Sequence, residues 1–472
     1  MKVSQSEYIK SNKPLFKELT EELLKSYAYV SLLAEDAEGK VYSISKSGIN
    51  IDAKNDLLSR RGFVVKVYDN GLFAEYSGND ISKEKIGEIV KIVKENLLVL
   101  GEKNEKSSYK IPDDEPVTFS KSTDYLIDPA DMGDDNIIER LTVLYEKGMD
   151  YDDRILNFVA SANYQKYSKL FLSKNRDMEQ NVMWSTAMVR AMALKGEEVK
   201  DCYLPCSVLG GMELLNNLDD EVEKACKTAI ELLESEPLPP GKYECICTPE
   251  VTGMIVHEAF GHGVEMDMFV KDRALAKNFI GEYVASPLIT MHDGNLVDET
   301  ATFFFDDEGT MAKDTVIIDK GILVAGMSDL QSAGALGTEP TGNGRRQDYE
   351  HKAYTRMTNT YFEAGKDKVE DMIASVKDGL LLENPSSGME DPKNWGIQCM
   401  VNIAREIKDG KLTGKLYSPI VLTGYVPDLL KSISMVSDKL EVCGSGYSGK
   451  GYKEWVKVSD GGPYIKAEIQ LG

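Results

Sequence analysis

Two rhythms of apolar and polar positions alternate along the first half of the chain. Residues 15–24 (LFKELTEELL) repeat apolar side chains at helical spacing, and 28–48 (AYVSLLAEDAEGKVYSISKSG) read as strands broken at 36–39. Residues 61–77 (RGFVVKVYDNGLFAEYS) carry Asn70-Gly71 between two apolar runs, the signature of a tight hairpin. A helical period returns over 83–100 (KEKIGEIVKIVKENLLVL) and ends near Gly101. Residues 102–122 are charged, Pro-containing and aperiodic, which predicts a surface connection. A second set follows: a helix over 137–148, strands over 155–163 and 167–175, and a helix over 220–235.

Proline then punctuates the chain. Residues 236–241 (EPLPPG) cannot continue a helix, so the boundary between two domains, 1–240 and 241–472, is placed there. Beyond it one helix stands out near 249–262 and a second near 366–377. The rest, including 302–329 and 397–425, reads as strands and hairpins. The expected class is α+β: an N-terminal mixed α/β domain, then a mainly antiparallel β domain carrying one chemically loaded helix. A length of 472 residues agrees with two cores rather than one.

Charge and cysteine content exclude several functions. Lys and Arg total 55 against 78 Asp and Glu, and the net charge of −23 repels a phosphate backbone, so no direct nucleic-acid partner is expected. The acidity is read as a solubility device rather than as steering of basic substrates. No apolar run reaches membrane-spanning length, and the N-terminal MKVSQSEYIKSNKPLF has no apolar signal core. No membrane association and a cytoplasmic address are therefore expected. Seven cysteines, an odd number, do not suggest a disulfide framework. Cys245 and Cys247 sit in an apolar strand-like run and read as core thiols.

The chemistry concentrates in TPEVTGMIVHEAFGHGVEMD, residues 248–267. Thr248 is a candidate N-cap with Pro249 at the first helical position. His257, Glu258 and His262 form an HExxxH pattern, and two of the chain's four histidines fall within it. Neutral imidazoles suit zinc, and a carboxylate beside the metal can take a proton from water. Histidines five apart lie about 140° around an ideal α-helix, so both reach one ion only if the helix is distorted. Gly261 and Gly263 bracket His262, where the helix could end or carry a π-bulge. The plain alternative is a pair of locally hydrogen-bonded histidines.

HEAFGHGVEMD resembles the HExxxH segment of the TldD/PmbA family, also called modulator-of-gyrase proteins. Further ordered blocks of residues 245–472 share the resemblance: FDDEG at 305–309, TGNGRR at 341–346, TRMTNTYFEAG at 355–365, EDPKNWGIQ at 390–398 and CGSGYSGKG at 443–451. The resemblance implies a zinc peptidase of the TldD-like kind, because PmbA-like (TldE) chains have generally lost the ligands. It implies Zn²⁺ held by His257, His262 and Cys443, with Glu258 as general base. It implies unstructured peptides as substrate, and a homodimer or a heterodimer with a PmbA-like subunit. Two other classes stay open: a non-peptidase zinc amidohydrolase, and a peptide-binding regulatory subunit with structural zinc. Arg345, Arg346 and Arg356 are candidates for binding a substrate carboxylate or an oxyanion, or for pairing with the many carboxylates. Asp306, Asp307 and Glu308 read as a hairpin turn; His292 and His351 read as loop residues.

Overall fold

The computed structural model describes residues 1–102, 111, 115–451 and 454–472. Eight strands of the N-terminal half form one sheet: β1 (Tyr29–Ser45), β2 (Gly48–Asp52), β3 (Arg60–Asp69), β4 (Leu72–Gly78), β5 (Val117–Ser122), β6 (Ile155–Leu172), β7 (Arg176–Lys195) and β8 (Glu198–Val208). Their order is β4-β3-β1-β6-β7-β5, with β2 on β1 and β8 on β7; only the β5–β7 pairing is parallel. β1 runs unbroken through 36–39, because Arg60–Gly62 of β3 and the 165–168 stretch of β6 pair with it on its two sides. The hairpin at Asn70-Gly71 forms as its sequence demands, both residues taking positive φ (49° and 87°).

Period-2 alternation divides this sheet's two faces. Leu32, Ala34, Phe63, Val65, Leu170 and Leu172 point to one face, where helices Glu7–Leu24 and Lys83–Glu102 supply Phe16, Leu19, Ile89 and Val93. The intervening Leu33, Val64 and Phe171 point to the other face and pack with Met178 on Phe305 of the C-terminal half. Further along, helices Asp134–Met149 and Asp219–Leu232 cover β6, β7 and β8 through Leu141, Leu144, Val222 and Cys226.

The surface connection expected over 102–122 does not hold at its C-terminal end. Residues 117–122 form β5, with Val117 and Phe119 packed beside Leu33 and Phe305. The parts of that stretch at 103–110 and 112–114 lie outside the described residues.

The C-terminal half is mostly strands, as an α+β reading requires. Gly241–Cys247, Asp378–Asp391, Gly396–Lys408, Ile420–Tyr425 and Ile465–Leu471 pair around a closed ring in which only the first two run parallel. A second sheet of six short strands includes Met291–Asp293, Asn359–Phe362, Ser459–Gly462 and Glu441–Cys443. The helical segment after Cys247 packs on both, so the residues following it are set by two sheets at once. Cys245 and Cys247 are core thiols in the first strand of the ring. No helix among the described residues is long and apolar enough to cross a membrane.

Buried ion pairs tie the halves together. Lys66 of β3 meets Glu308 at 3.0 Å, Lys169 of β6 meets Asp307, and Arg346 meets Glu75 of β4 at 2.7 Å. The turn 306–309 is thus the hairpin turn of the sequence reading, but buried. Its Asp306 carboxylate accepts from the backbone N–H groups of Glu308 and Thr310, closing the turn, and from that of Gly344.

His292 departs from its loop reading. It is buried on a strand, stacked on Tyr361 (ring centroids 5.4 Å apart), with Nδ1 2.6 Å from Asp314 and Nε2 2.8 Å from Glu363. Burial alone would lower its pKa; the two carboxylates override this and raise it. A raised folded pKa gives stability that is complete below the unfolded value of about 6.5 and is lost as pH rises through the folded value. His292→Gln is therefore expected to lower unfolding free energy by about 1–3 kcal/mol at pH 6, with a smaller gap at pH 9. Denaturant unfolding at the two pH values checks this.

Candidate metal centre

The helix expected near 249–262 forms in three registers. Thr248 stands at the N-cap position without a side-chain capping bond, and Pro249 opens an α-helical turn, Pro249–Met254. Ile255–Gly261 then winds as a π-helix, followed by a 3₁₀ turn at His262–Val264. The backbone N–H of His262 donates to the carbonyl of His257, an i→i+5 bond. That widened turn brings residues five apart back onto one face, which an α-helix could not do. The two imidazole rings stand 5.1 Å apart and nearly perpendicular.

The glycines let neighbours close on this turn. A Cβ on Gly263 would lie 2.5 Å from Glu390 Oε1, and one on Gly388 would lie 2.4 Å from Cγ of Glu258.

One ligand atom from each of His257, Glu258 and His262 lies within 4.8 Å of the others. His257 is buried, its Nδ1 has no hydrogen-bond partner among the described residues, and Asp460 Oδ2 stands 3.9 Å from that atom, too far to bond. Burial, then His262, pushes its pKa down to about 3, so the ring stays neutral with a lone pair available. A neutral buried imidazole with an orphaned nitrogen, beside a second imidazole and a carboxylate, suits a borderline-soft cation such as zinc. Desolvation raises Glu258, the direction that makes a carboxylate a better base.

His262 is held from behind. Its Nδ1 lies 3.3 Å from Glu265 Oε2, and Glu265 in turn receives Lys450 Nζ at 3.0 Å. Lys450 also reaches Asp267 at 2.7 Å and the Thr355 carbonyl at 3.0 Å. Burial alone would raise Glu265, but Lys450, His262 and Arg356 hold it well below the usual carboxylate range. A carboxylate in that position fixes the ring and its tautomer. Glu265 and Asp267, the other carboxylates near the motif, are thus committed to Lys450.

His257 and Glu258 open onto a cleft of about 1220 Å³, and Cys443 lies on its wall. Cys443 is on the strand next to Asp460, its direct register partner, and its sulfur accepts from Ser207 Oγ at 3.7 Å. The sulfur is not part of the three-residue cluster. Desolvation raises the thiol pKa.

The three arginines do not come to this cleft. Arg346 pairs with Glu75, while Arg356 is buried, donating to the carbonyls of Ser448 (2.5 Å) and Glu454 (3.1 Å). Arg345 donates to the Met357 carbonyl at 2.6 Å and faces a different, smaller cavity. Structural demand took all three: buried carbonyls and carboxylates contributed by remote segments. His351, bonded to Asp348 at 2.6 Å, stays beside Arg346 and off the cleft.

Sequence reading missed Asp460, which lines the cleft. Burial, then Glu258 and Glu299, push it up to about 7. Its only local signal is the pair Gly461-Gly462 that follows it, where helix Pro249–Met254 comes close enough that a Cβ on Gly253 would lie 2.8 Å from Gly461.

Residues 240–470 match a family model described as the PmbA/TldA metallopeptidase C-terminal domain. Over these residues the chain is similar to the TldD/PmbA family. A metalloprotease TldD homolog of Haemophilus influenzae is 36% identical over 53% of this chain and 52% of its own length. The match thus spans about half of that relative. A zinc metalloprotease TldD homolog of Saccharolobus solfataricus is 26% identical over 64% of this chain and 68% of its own.

Among solved structures, a putative modulator of a DNA gyrase from Thermotoga maritima superposes with a TM-score of 0.79. It covers 97% of this chain and 100% of its own at 15% identity. TldE from Thermococcus kodakarensis gives 0.74, with 97% and 100% coverage and 18% identity. At these identities the shared property is the fold. The family is one of metallopeptidases.

Proposed function

We propose that this chain is a TldD-like zinc peptidase that cleaves unfolded or extended peptides with low sequence selectivity. The observation that carries the reading is the π-helical turn, which gathers His257, Glu258 and His262 and sets the first two on the wall of a large cleft. His257, His262 and Cys443 would hold the metal. Zinc bound there lowers the pKa of water towards ~7 and polarises the scissile carbonyl. Glu258 accepts the proton of the attacking water at its carboxylate and passes it to the leaving amine. Glu265 keeps the His262 ring aligned, and Lys450 keeps Glu265 charged. A closed structural site has no use for a base beside its metal, which disfavours the regulatory-subunit reading.

The substrate class rests on a strand edge without a strand partner, on which only the Asn384 N–H (to Glu250 Oε1, 3.4 Å) and the Pro385 carbonyl (from the Tyr203 hydroxyl) are taken by side chains among the described residues. Gly379–Leu382 pair with Glu244–Cys247, but the following residues 383–388 have no strand partner on that side among the described residues. They line the cleft up to Gly388, which touches Glu258. An extended peptide can add to such an edge through main-chain hydrogen bonds, largely indifferent to side chains. We assign the working form to a dimer, with itself or with a PmbA/TldE-like subunit.

The test is hydrolysis of casein-like unfolded protein against the same protein folded and against small amides. Cleavage of the unfolded substrate should vanish on chelation and return on zinc addition. Turnover untouched by chelation, or confined to small amides, would overturn the reading.

A further inference from the structure

A second cavity, of about 50 Å³, lies between the N-terminal sheet and the C-terminal half, and Tyr447 forms part of both its wall and that of the cleft. Five cations face it, Arg60, Lys169, Arg345, Arg346 and Lys457, against the carboxylates of Asp306 and Asp307. Three of the five are matched: Arg60 with Glu35 at 3.4 Å, Lys169 with Asp307, and Arg346 with Glu75 at 2.7 Å. Asp306 gives its oxygens to three backbone N–H groups and meets none of the cations.

Arg345 and Lys457 make no ion pair among the described residues. Arg345 spends Nη1 on the Met357 carbonyl and rests over the Phe303 ring, 5.3 Å from its centroid, leaving Nε and Nη2 without an acceptor among the described residues. Lys457 Nζ donates to the Ser445 carbonyl at 3.1 Å and sits 4.5 Å from the ring centroids of both Trp184 and Tyr447. Three N–H groups on Nε and Nη2 of Arg345 and two on Lys457 thus remain uncommitted at the wall of one cavity.

Burying a cation without a directly paired counter-charge is costly, and the cost appears in both groups, offset only in part by Glu299 near Lys457 and Asp307 near Arg345. Burial pulls Lys457 down to about 7 and Arg345 down to about 10. An aromatic box supplies part of what an ammonium needs, but not an anion. The cavity exceeds the roughly 30 Å³ share of one water, yet cannot take a peptide.

We propose that this cavity is a site for one small oxyanion, a carboxylate or inorganic phosphate, held between the Arg345 guanidinium and the Lys457 ammonium. Arg345 offers a planar fork of donors for two oxygens, and Lys457 a point charge. Because Lys457 also holds the Ser445 carbonyl, and Ser445 and Tyr447 line the cleft, the anion braces that part of the cleft wall. The inference is independent of the peptidase reading.

Thermal unfolding of the full chain tests it, with sodium chloride replaced stepwise by sodium phosphate or sodium acetate at constant ionic strength. The expected result is a saturable rise in Tm with at least one of the two. A response to phosphate alone assigns inorganic phosphate, and a response to acetate alone assigns a carboxylate. Arg345→Met and Lys457→Met should each weaken the apparent affinity about tenfold or more, a free-energy change of about 1.4 kcal/mol. A cooperative unfolding transition in chloride shows that each variant is folded, so a lost response is not misfolding. No saturable rise in the wild type overturns the proposal. So does an undiminished response in both variants.

Discussion

Glu258→Gln is expected to lose hydrolysis by roughly 10²–10⁴-fold while binding zinc nearly as tightly as the wild type. Glutamine matches glutamate in shape, so the contact with Gly388 and the packing of the π-turn are kept; only the ability to take a proton is removed. Glu258 is raised by desolvation, which narrows the gap between its pKa and that of the water it serves. A variant that lost metal and activity together would make Glu258 a ligand instead of a base. A variant with wild-type turnover would remove it from the mechanism. Zinc content measured beside initial rates on an unfolded substrate separates the three outcomes.

Cys443→Ala should weaken zinc retention more than any other cysteine substitution, by more than the roughly 10–100-fold that losing an outer-shell partner costs. Cys206→Ala is the sharp control, since Cys206 lines the same cleft and is pushed up to about 12 by burial. Cys443, next to Asp460 in its sheet, is raised by burial as a free thiol. A bound cation would instead hold it as thiolate and shield it from alkylation. Labelling of Cys443 should therefore rise on chelation and fall on zinc addition. Labelling indifferent to metal, with unchanged zinc content in Cys443→Ala, would remove Cys443 from the ligand set.

Local rules carried the helices, the Asn70-Gly71 hairpin and the possibility of a π-distortion at the HExxxH helix, because each depends on residues a few positions apart. They failed where a residue's role is set across the fold. Arg346 finds its carboxylate, Glu75, 271 residues away, and nothing near Arg346 announces it. The segment around His292 looked like an exposed turn because Asp293-Gly294-Asn295 is turn chemistry. Asp293 is instead a buried hub accepting from Asn343, Thr358 and Thr360. Cys443 is the intermediate case: no spacing rule links it to His262, and only a resemblance over the whole C-terminal half singled it out. The support behind His262, Glu265 and Lys450, was invisible for the same reason: the two meet 185 residues apart.

The central claim is that one π-helical turn makes a zinc site from histidines five apart. Metal analysis of the dialysed wild type beside the double variant His257→Ala, His262→Ala tests it most directly, with unfolding curves to establish that both are folded. The account predicts about one zinc per wild-type chain and none in the variant. Equal zinc in both chains, or a folded wild type that takes up no zinc when it is supplied, would contradict it.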